Sequence, residues 1–201
     1  MKMKPIGIYM AITGDYEDGL LFAEKAGLAS HRDPRSVVSG VVQAHAVYNL
    51  LNGNYLDIDS MIDTCERSEE KISKEIACNI EGDSFLSKLN WIKENASECV
   101  ITAYNEIGNS SRAFESVPFT YFMFQKFDKS VPVFIPESIH GLVSGLFETV
   151  NMGGDCDTTG SIYGELLGAE LGNVFPEDQA FLKGYRKIIK IAEDLYKALH
   201  E

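Results

Sequence analysis

The chain has 201 residues and an ordinary globular composition, 45% hydrophobic and 24% charged, which suits one domain with a sizeable core. Its formal net charge of −12 argues against a partner such as nucleic acid or an anionic membrane, because both need basic patches. No uninterrupted run of about 18 apolar residues is present, so no segment is predicted to span a membrane.

The beginning of the chain, MKMKPIGIYMAIT, imitates a signal peptide only weakly. It lacks a clean cleavage site, and mixed polarity follows Pro5, so a buried helix is predicted instead. The cysteines are spread along the chain without a C-x-x-C pair, and we interpret them as free thiols in a reducing, cytoplasmic compartment. They are Cys65, Cys78, Cys99 and Cys156.

Apolar residues recur at helical spacing along most of the chain. A helix at about 17–29 is followed by one that begins at Asp33-Pro34 and ends at Asn52-Gly53. The apolar run VPVFIP is the one β-rich stretch, and prolines hem it in. We predict a compact all-α, multi-helix bundle that forms one domain over residues 1–201. Its further helices are expected at about 57–79, 83–95, 97–107, 115–126, 136–150 and 185–199.

The most unusual stretch is VNMGGDCDTTGSIYGELLGAELG, which begins at Val150. Asp155 and Asp157 follow two glycines just before a predicted helix, so the turn can aim both carboxylates to one side. Thr158 adds a hydroxyl, and oxygen ligands of this kind suit Mg²⁺ or Mn²⁺. The D-x-D-T pattern alone is better explained by Asp157 capping the helix while Asp155 is solvated.

Glycine then recurs at every fourth position of the same stretch. Residues four apart share one face of a helix, so such a stripe predicts a groove in which another helix packs closely. Each interior glycine costs about 1 kcal/mol relative to alanine, and close packing would offset that cost. The stripe comprises Gly160, Gly164, Gly168 and Gly172.

Together with four other segments, this stretch resembles the ADP-ribosylglycohydrolase family. The family carries a G-G-D-x-D-T loop that runs into a Gly/Ala-rich helix, as NMGGDCDTTGSIYGELLGAELG does. IGNSSRAFESVPFTYFMF resembles its G-N-x-x-x-A-x-E-S-x-P segment, and FPEDQAFLKGYRKIIKIAEDL its closing helix. MKMKPIGI resembles its M-R-x-x-P-I-G run, and LASHRDPRS its T-H segment. The segments follow the family's order, and the similarity is nearest to the branch that acts on O-linked ADP-ribose.

The resemblance implies an all-α hydrolase that binds two divalent cations, Mg²⁺ or Mn²⁺, and releases ADP-ribose from a modified side chain. Its partner would be ADP-ribose or an ADP-ribosylated protein. From the residues alone, His31 is better explained as a helix-terminus histidine, and Glu115 as structural charge at a helix start. No catalytic residue is assigned. By matching positions, the resemblance implies metal ligands at Asp155, Asp157 and Thr158, and substrate-binding residues at His31, Ser111 and Gly153.

The sequence also departs from the family pattern. It contains no counterpart of the Thr-Asp-Asp-Thr motif that supplies further metal ligands, and the run from Asp57 to Ser60 is better explained as a turn and helix cap. The chain thus resembles the C-terminal two-thirds of the family domain. Alone it is expected to lack the N-terminal metal ligands, and to need a complementing N-terminal chain or to self-associate through exposed apolar surface. Two alternatives stay open: a non-catalytic remnant, and a helical module for interaction or ADP-ribose binding.

Overall fold

The structure, a computed structural model, describes residues 3–76, 82–128, 141–172 and 183–200. These residues form ten α-helices and no strand, which confirms the all-α prediction. The helices are α1 (Lys4–Thr13), α2 (Tyr16–Leu28), α3 (Pro34–Leu51), α4 (Ile58–Ile76), α5 (Phe85–Glu94), α6 (Val100–Ile107), α7 (Ala113–Asp128), α8 (Gly141–Asn151), α9 (Cys156–Leu171) and α10 (Tyr185–His200).

Helix α3 is the centre of the bundle, because thirteen of its eighteen residues are buried. It packs against α1, α2, α4, α7 and α9. Its ends follow the sequence prediction. Asp33 is the N-cap and accepts a hydrogen bond from the Arg35 N–H, Pro34 takes the first helical position, and Asn52 is the C-cap.

Helix α7 supplies most of the aromatic core, and its packing brings together the two loops that form the candidate site. Phe119, Tyr121, Phe122 and Phe124 are almost completely buried, and α7 packs against α3, α5, α6, α8 and α9. Because α7 lies against both α6 and the α8–α9 pair, the α6–α7 connection (residues 108–112) comes close to the α8–α9 connection (residues 152–155). These two loops form the cleft described below.

The interpretation of the glycine stripe as a packing groove is correct at one position only, within the described part of the chain. A Cβ built at Gly160 would lie 2.8 Å from Val150 Cγ2, whereas one built at Gly164 or Gly168 meets no described atom within 4 Å. Gly172 has another role, since it ends α9 with a φ of 71°. Spacing assigns the glycines to one face but does not say what covers that face.

Several other expectations can be compared with the described residues. The VPVFIP run and the predicted start of a helix near Pro136 lie outside them, and α8 is described from Gly141 onward. Cys65, Cys99 and Cys156 are free thiols. Helix α10 contacts α1 and leaves the side chains of Ile188 and Ile191 more than half exposed. None of the described helices is both long and apolar enough to cross a membrane.

Candidate functional site

A cleft of about 460 Å³ opens where the two loops meet, within the size range of about 300–1,000 Å³ that is usual for small-ligand sites. One wall comes from the α6–α7 loop and its flanking helices, and the other from the α8–α9 loop. Its lining mixes apolar surface with hydroxyls, carboxylates and an amide. The lining residues are Tyr104, Asn109, Ser110, Ser111, Glu115, Gly154 and Asp155.

Asn109 ties the two walls together. Its side-chain Nδ2 donates a hydrogen bond to the Gly153 carbonyl over 2.8 Å, and its own carbonyl accepts one from the Asp155 N–H over 3.0 Å. Gly153 and Gly154 have φ values of 73° and 66°, which favour glycine. A Cβ at Gly154 would lie only 2.3 Å from the Asn109 carbonyl oxygen. The Gly-Gly pair therefore allows both the tight turn and the close approach.

Asp155 is the N-cap residue of α9, but its side chain makes no capping hydrogen bond. Its main-chain carbonyl accepts from the N–H and the hydroxyl of Thr159, while its half-buried carboxylate borders the cleft. Asp157 is exposed in the first turn of α9. The alternative in which Asp157 caps the helix is therefore wrong, because α9 begins at Cys156 and its N-cap residue is Asp155, two residues before Asp157.

The predicted site residues fall into two groups. Asp155 and Ser111 line the same cleft, although they come from different loops. Asp157 and the half-buried Thr158 lie in the next turn of the chain and Gly153 in the adjoining loop, but none of them is a lining residue. His31 does not line the cleft either.

His31 is placed by local structure at the end of α2. It is exposed, its N–H donates to the Gly27 carbonyl, and its Nδ1 lies 2.8 Å from the Ser30 hydroxyl. This is the position of a helix-terminus histidine.

Glu115 does more than supply charge to the start of α7. Its carboxylate accepts from the Ser110 N–H over 3.3 Å and lies 3.4 Å from the Arg112 guanidinium, so it folds the α6–α7 loop back onto α7. Partial burial would raise the pKa of Glu115, but hydrogen bonding from Ser110 and the charges of Lys88 and Arg112 outweigh it and lower the pKa. The group is therefore a carboxylate acceptor at neutral pH.

Lys88 is a second residue whose part in the site the sequence reading missed. It is buried, its ammonium donates to the Ile107 carbonyl at the end of α6, and it lies over the ring of Phe114. Burial lowers the pKa of Lys88, opposed by the charges of Glu115 and Asp83. A signal was available in the sequence, since Phe85, Lys88, Leu89 and Ile92 follow the i, i+3, i+4, i+7 spacing of a buried face.

The oxygen donors at the start of α9 suit a hard cation, but they make an incomplete set. Among the described residues, no group of three or more His, Cys, Asp and Glu side chains is arranged to hold a metal ion. Asp155 and Asp157 offer two carboxylates and Thr158 a hydroxyl, whereas Mg²⁺ prefers six oxygen ligands and Ca²⁺ six to eight. The donors are therefore of the type that a hard cation prefers, but there are too few of them to fill its coordination shell.

The helical fold is the one that the sequence resemblance implied. The sequence model of the ADP-ribosylglycohydrolase family matches residues 1–201. The chain therefore belongs to the ADP-ribosylglycohydrolase family.

Three relatives match along nearly the whole of this chain. The chain is 25% identical to ADP-ribosylhydrolase ARH3 of Homo sapiens over 210 residues, covering 99% of this chain and 57% of the relative. It is 28% identical to ADP-ribosylhydrolase ARH3 of Xenopus tropicalis over 214 residues, with 99% and 58% covered. It is 27% identical to an uncharacterized protein of Archaeoglobus fulgidus, with 100% and 56% covered. The chain thus spans somewhat more than half the length of these relatives.

Proposed function

We propose that this chain forms part of a hydrolase that cleaves ADP-ribosyl glycosidic bonds, removing ADP-ribose from modified protein side chains or related compounds. The observation that supports this most strongly is the family match along residues 1–201. In such a hydrolysis the oxygen of water bonds to the anomeric carbon, the glycosidic bond breaks, and a proton passes to the leaving atom. A cytoplasmic setting is part of the proposal, and the free thiols of Cys65, Cys99 and Cys156 support it.

The proposal includes a divalent cation, Mg²⁺ or Mn²⁺, at the start of α9. Asp155, Asp157 and Thr158 would hold it, because their hard oxygen atoms are the ligands such cations prefer. When bound, a pair of such cations polarises sugar and water oxygens. The Asp155 carboxylate is available for this role because it does not cap α9.

On the substrate side we propose Ser111, Gly153 and His31. Ser111 lies on the cleft wall opposite Asp155, where its hydroxyl could exchange hydrogen bonds with a ribose hydroxyl. Gly153 lies in the turn next to Asp155, and a Cβ built there meets no described atom within 4 Å. His31 is exposed at the end of α2, and its ring is accessible to a ligand.

Full activity is proposed to need further carboxylates from outside the described residues. Two cations held close together repel each other strongly, and only additional negative ligands could offset that repulsion. A complementing N-terminal chain that carries the family's Thr-Asp-Asp-Thr motif would supply them. Self-association is the other proposed route to a stable assembly, and the exposed side chains of Ile188 and Ile191 support it.

The test compares the 201-residue chain with and without a separate N-terminal family segment that carries this motif. Calorimetric titrations with Mn²⁺ and with ADP-ribose, release of ADP-ribose from an O-linked ADP-ribosylated peptide, and light scattering are measured in both cases. We expect weak binding and no turnover by the chain alone, and both functions when the segment is added. Asp155→Asn should abolish them, whereas the control Asp63→Asn, at an exposed position of α4, should not.

Other results would favour the alternatives. Rapid turnover by the chain alone would show that it carries enough ligands without a partner. Failure of the combined chains to bind Mn²⁺ or release ADP-ribose, with ADP-ribose still bound, would favour a non-catalytic binding module. Loss of both turnover and ADP-ribose binding would favour a helical interaction protein.

A further inference from the structure

The Asp155 carboxylate has no capping hydrogen bond to hold it, so its position depends on the main chain around it. That main chain is a left-handed turn at Gly153 and Gly154, and the hydrogen bonds on either side of Gly154 both go to one residue. The Gly153 carbonyl accepts from Asn109 Nδ2, and the Asp155 N–H donates to the Asn109 carbonyl. Asn109 therefore forms hydrogen bonds with the turn on both sides of Gly154.

We propose that Asn109 is a positioning residue, which holds the Gly153–Asp155 turn and thereby sets where the Asp155 carboxylate lies in the cleft. The inference rests on the proposed function only in taking Asp155 as a cation ligand. Steric fit supports it as well as hydrogen bonding. A Cβ at Gly154 would lie 2.3 Å from the Asn109 carbonyl oxygen and 3.0 Å from its Nδ2, so the turn is seated directly against this residue.

Asn109 can act as a fixed support because its own loop is anchored at both ends. Before it, the Ile107 carbonyl accepts from the buried ammonium of Lys88. After it, the Ser110 N–H donates to the Glu115 carboxylate. Asn109 itself is only 5% exposed, so water competes little for its hydrogen bonds.

The side-chain oxygen of Asn109 also supports a positioning role. Its Oδ1 is buried and has no hydrogen-bond partner among the described residues. Leaving a buried acceptor unpaired is unfavourable for stability. Because Nδ2 must face the Gly153 carbonyl as a donor, the amide cannot turn to relieve this. A side chain present only for stability would not be expected to accept that cost, whereas one that fixes a geometry would.

The experiment uses the full 201-residue chain and three variants. Asn109→Ala removes the donor to Gly153, and Asn109→Asp replaces it with an acceptor that repels the carbonyl. Asn105→Asp makes the same chemical change at an exposed position of α6 and is the matched control. Site-resolved amide hydrogen exchange and chemical shifts of Gly153, Gly154 and Asp155 are measured by NMR, together with the thermal midpoint and the Mn²⁺ dissociation constant.

We expect exchange at the Asp155 amide to become about tenfold faster in Asn109→Ala, and faster still in Asn109→Asp, with core amides of α3 unchanged. Asn105→Asp should behave as the wild type does. The proposal is overturned if exchange and shifts at residues 153–155 are unaffected. It is equally overturned if protection falls evenly across the bundle, because that result would make Asn109 a general stability residue.

The Mn²⁺ measurement separates this inference from the proposed function. If local exchange accelerates and the Mn²⁺ dissociation constant rises about tenfold or more, both are supported. If local exchange accelerates but the wild-type chain binds no Mn²⁺, even with the N-terminal family segment added, Asn109 still positions the turn. The assignment of Asp155 as a cation ligand then fails.

Discussion

The imidazole Nδ1 of His45 lies 2.8 Å from the hydroxyl of Tyr16, joining α3 to α2 inside the bundle. The other ring nitrogen accepts from the Asn49 amide over 3.0 Å, which leaves Nδ1 to carry the proton of the neutral ring. Burial, with a contribution from the charge of Arg67, lowers the pKa of His45 from 6.5 to about 4. The folded protein therefore keeps this histidine neutral.

This relationship predicts a pH dependence of stability. Because the folded pKa lies below the unfolded one, only the unfolded chain takes up the proton between about pH 6.5 and pH 4. The stabilisation is fully present above pH 6.5 and is lost as the pH falls through that window, by roughly 3 kcal/mol in all. Urea unfolding at pH 7, 5.5 and 4.5 measures it. His45→Gln should flatten the dependence, whereas His31→Gln, at an exposed position, should leave it intact.

A second prediction concerns the turn beside the cleft. Gly154→Ala places a methyl group against the Asn109 carbonyl and forces alanine to a φ near 66°. We expect a loss of about 1–3 kcal/mol in the free energy of unfolding, together with altered NMR shifts at Asp155. Chemical denaturation provides the measurement, and an unchanged midpoint would mean that the turn is not held closely against Asn109.

Gly164→Ala should have the opposite effect. Gly164 is inside α9, and a Cβ there meets no described atom within 4 Å. Alanine is the better helix former, so the free energy of unfolding should rise by about 0.5–1 kcal/mol. A clear destabilisation in the same denaturation assay would indicate that part of the protein beyond the described residues packs against this face of α9.

Lys88→Met tests the anchor at the end of α6. Methionine keeps the apolar stem but loses the ammonium that donates to the Ile107 carbonyl. We expect a destabilisation of about 1–3 kcal/mol, because a buried carbonyl loses its partner. Lys93→Met is the control on the same helix, since Lys93 forms an exposed pair with Asp59, and such pairs contribute about 0–1 kcal/mol. Equal effects of the two variants would contradict the anchor.

Local chemistry explains which features were predictable from the sequence. The boundaries of α3 follow from Asp33, Pro34 and Asn52, whose capping preferences act within one turn of the chain. The start of α9 was predicted less well, because the D-x-D-T pattern alone favoured Asp157 as the cap, whereas Asp155 is the N-cap residue. The all-α fold follows from apolar spacing that is helical in segment after segment.

The remaining features depend on contacts between distant segments. Asn109 and Gly153 are 44 residues apart in sequence, and no local pattern pairs them. The stripe at Gly164 and Gly168 looked like a packing groove because spacing identifies a face but not its neighbour. Lys88 was missed because a lysine on an otherwise apolar helix face is usually taken as an exception to the apolar pattern. Here its ammonium donates a hydrogen bond to the Ile107 carbonyl at the end of α6.

The two hydrogen bonds between Asn109 and the α8–α9 loop affect how the cleft would open. The two walls share the same pair of hydrogen bonds, so neither can swing out while the other stays closed. Fluctuations at residues 108–112 and 152–155 should therefore rise and fall together as one cooperative unit. A protease that reaches the first loop would then find the second exposed in the same molecules.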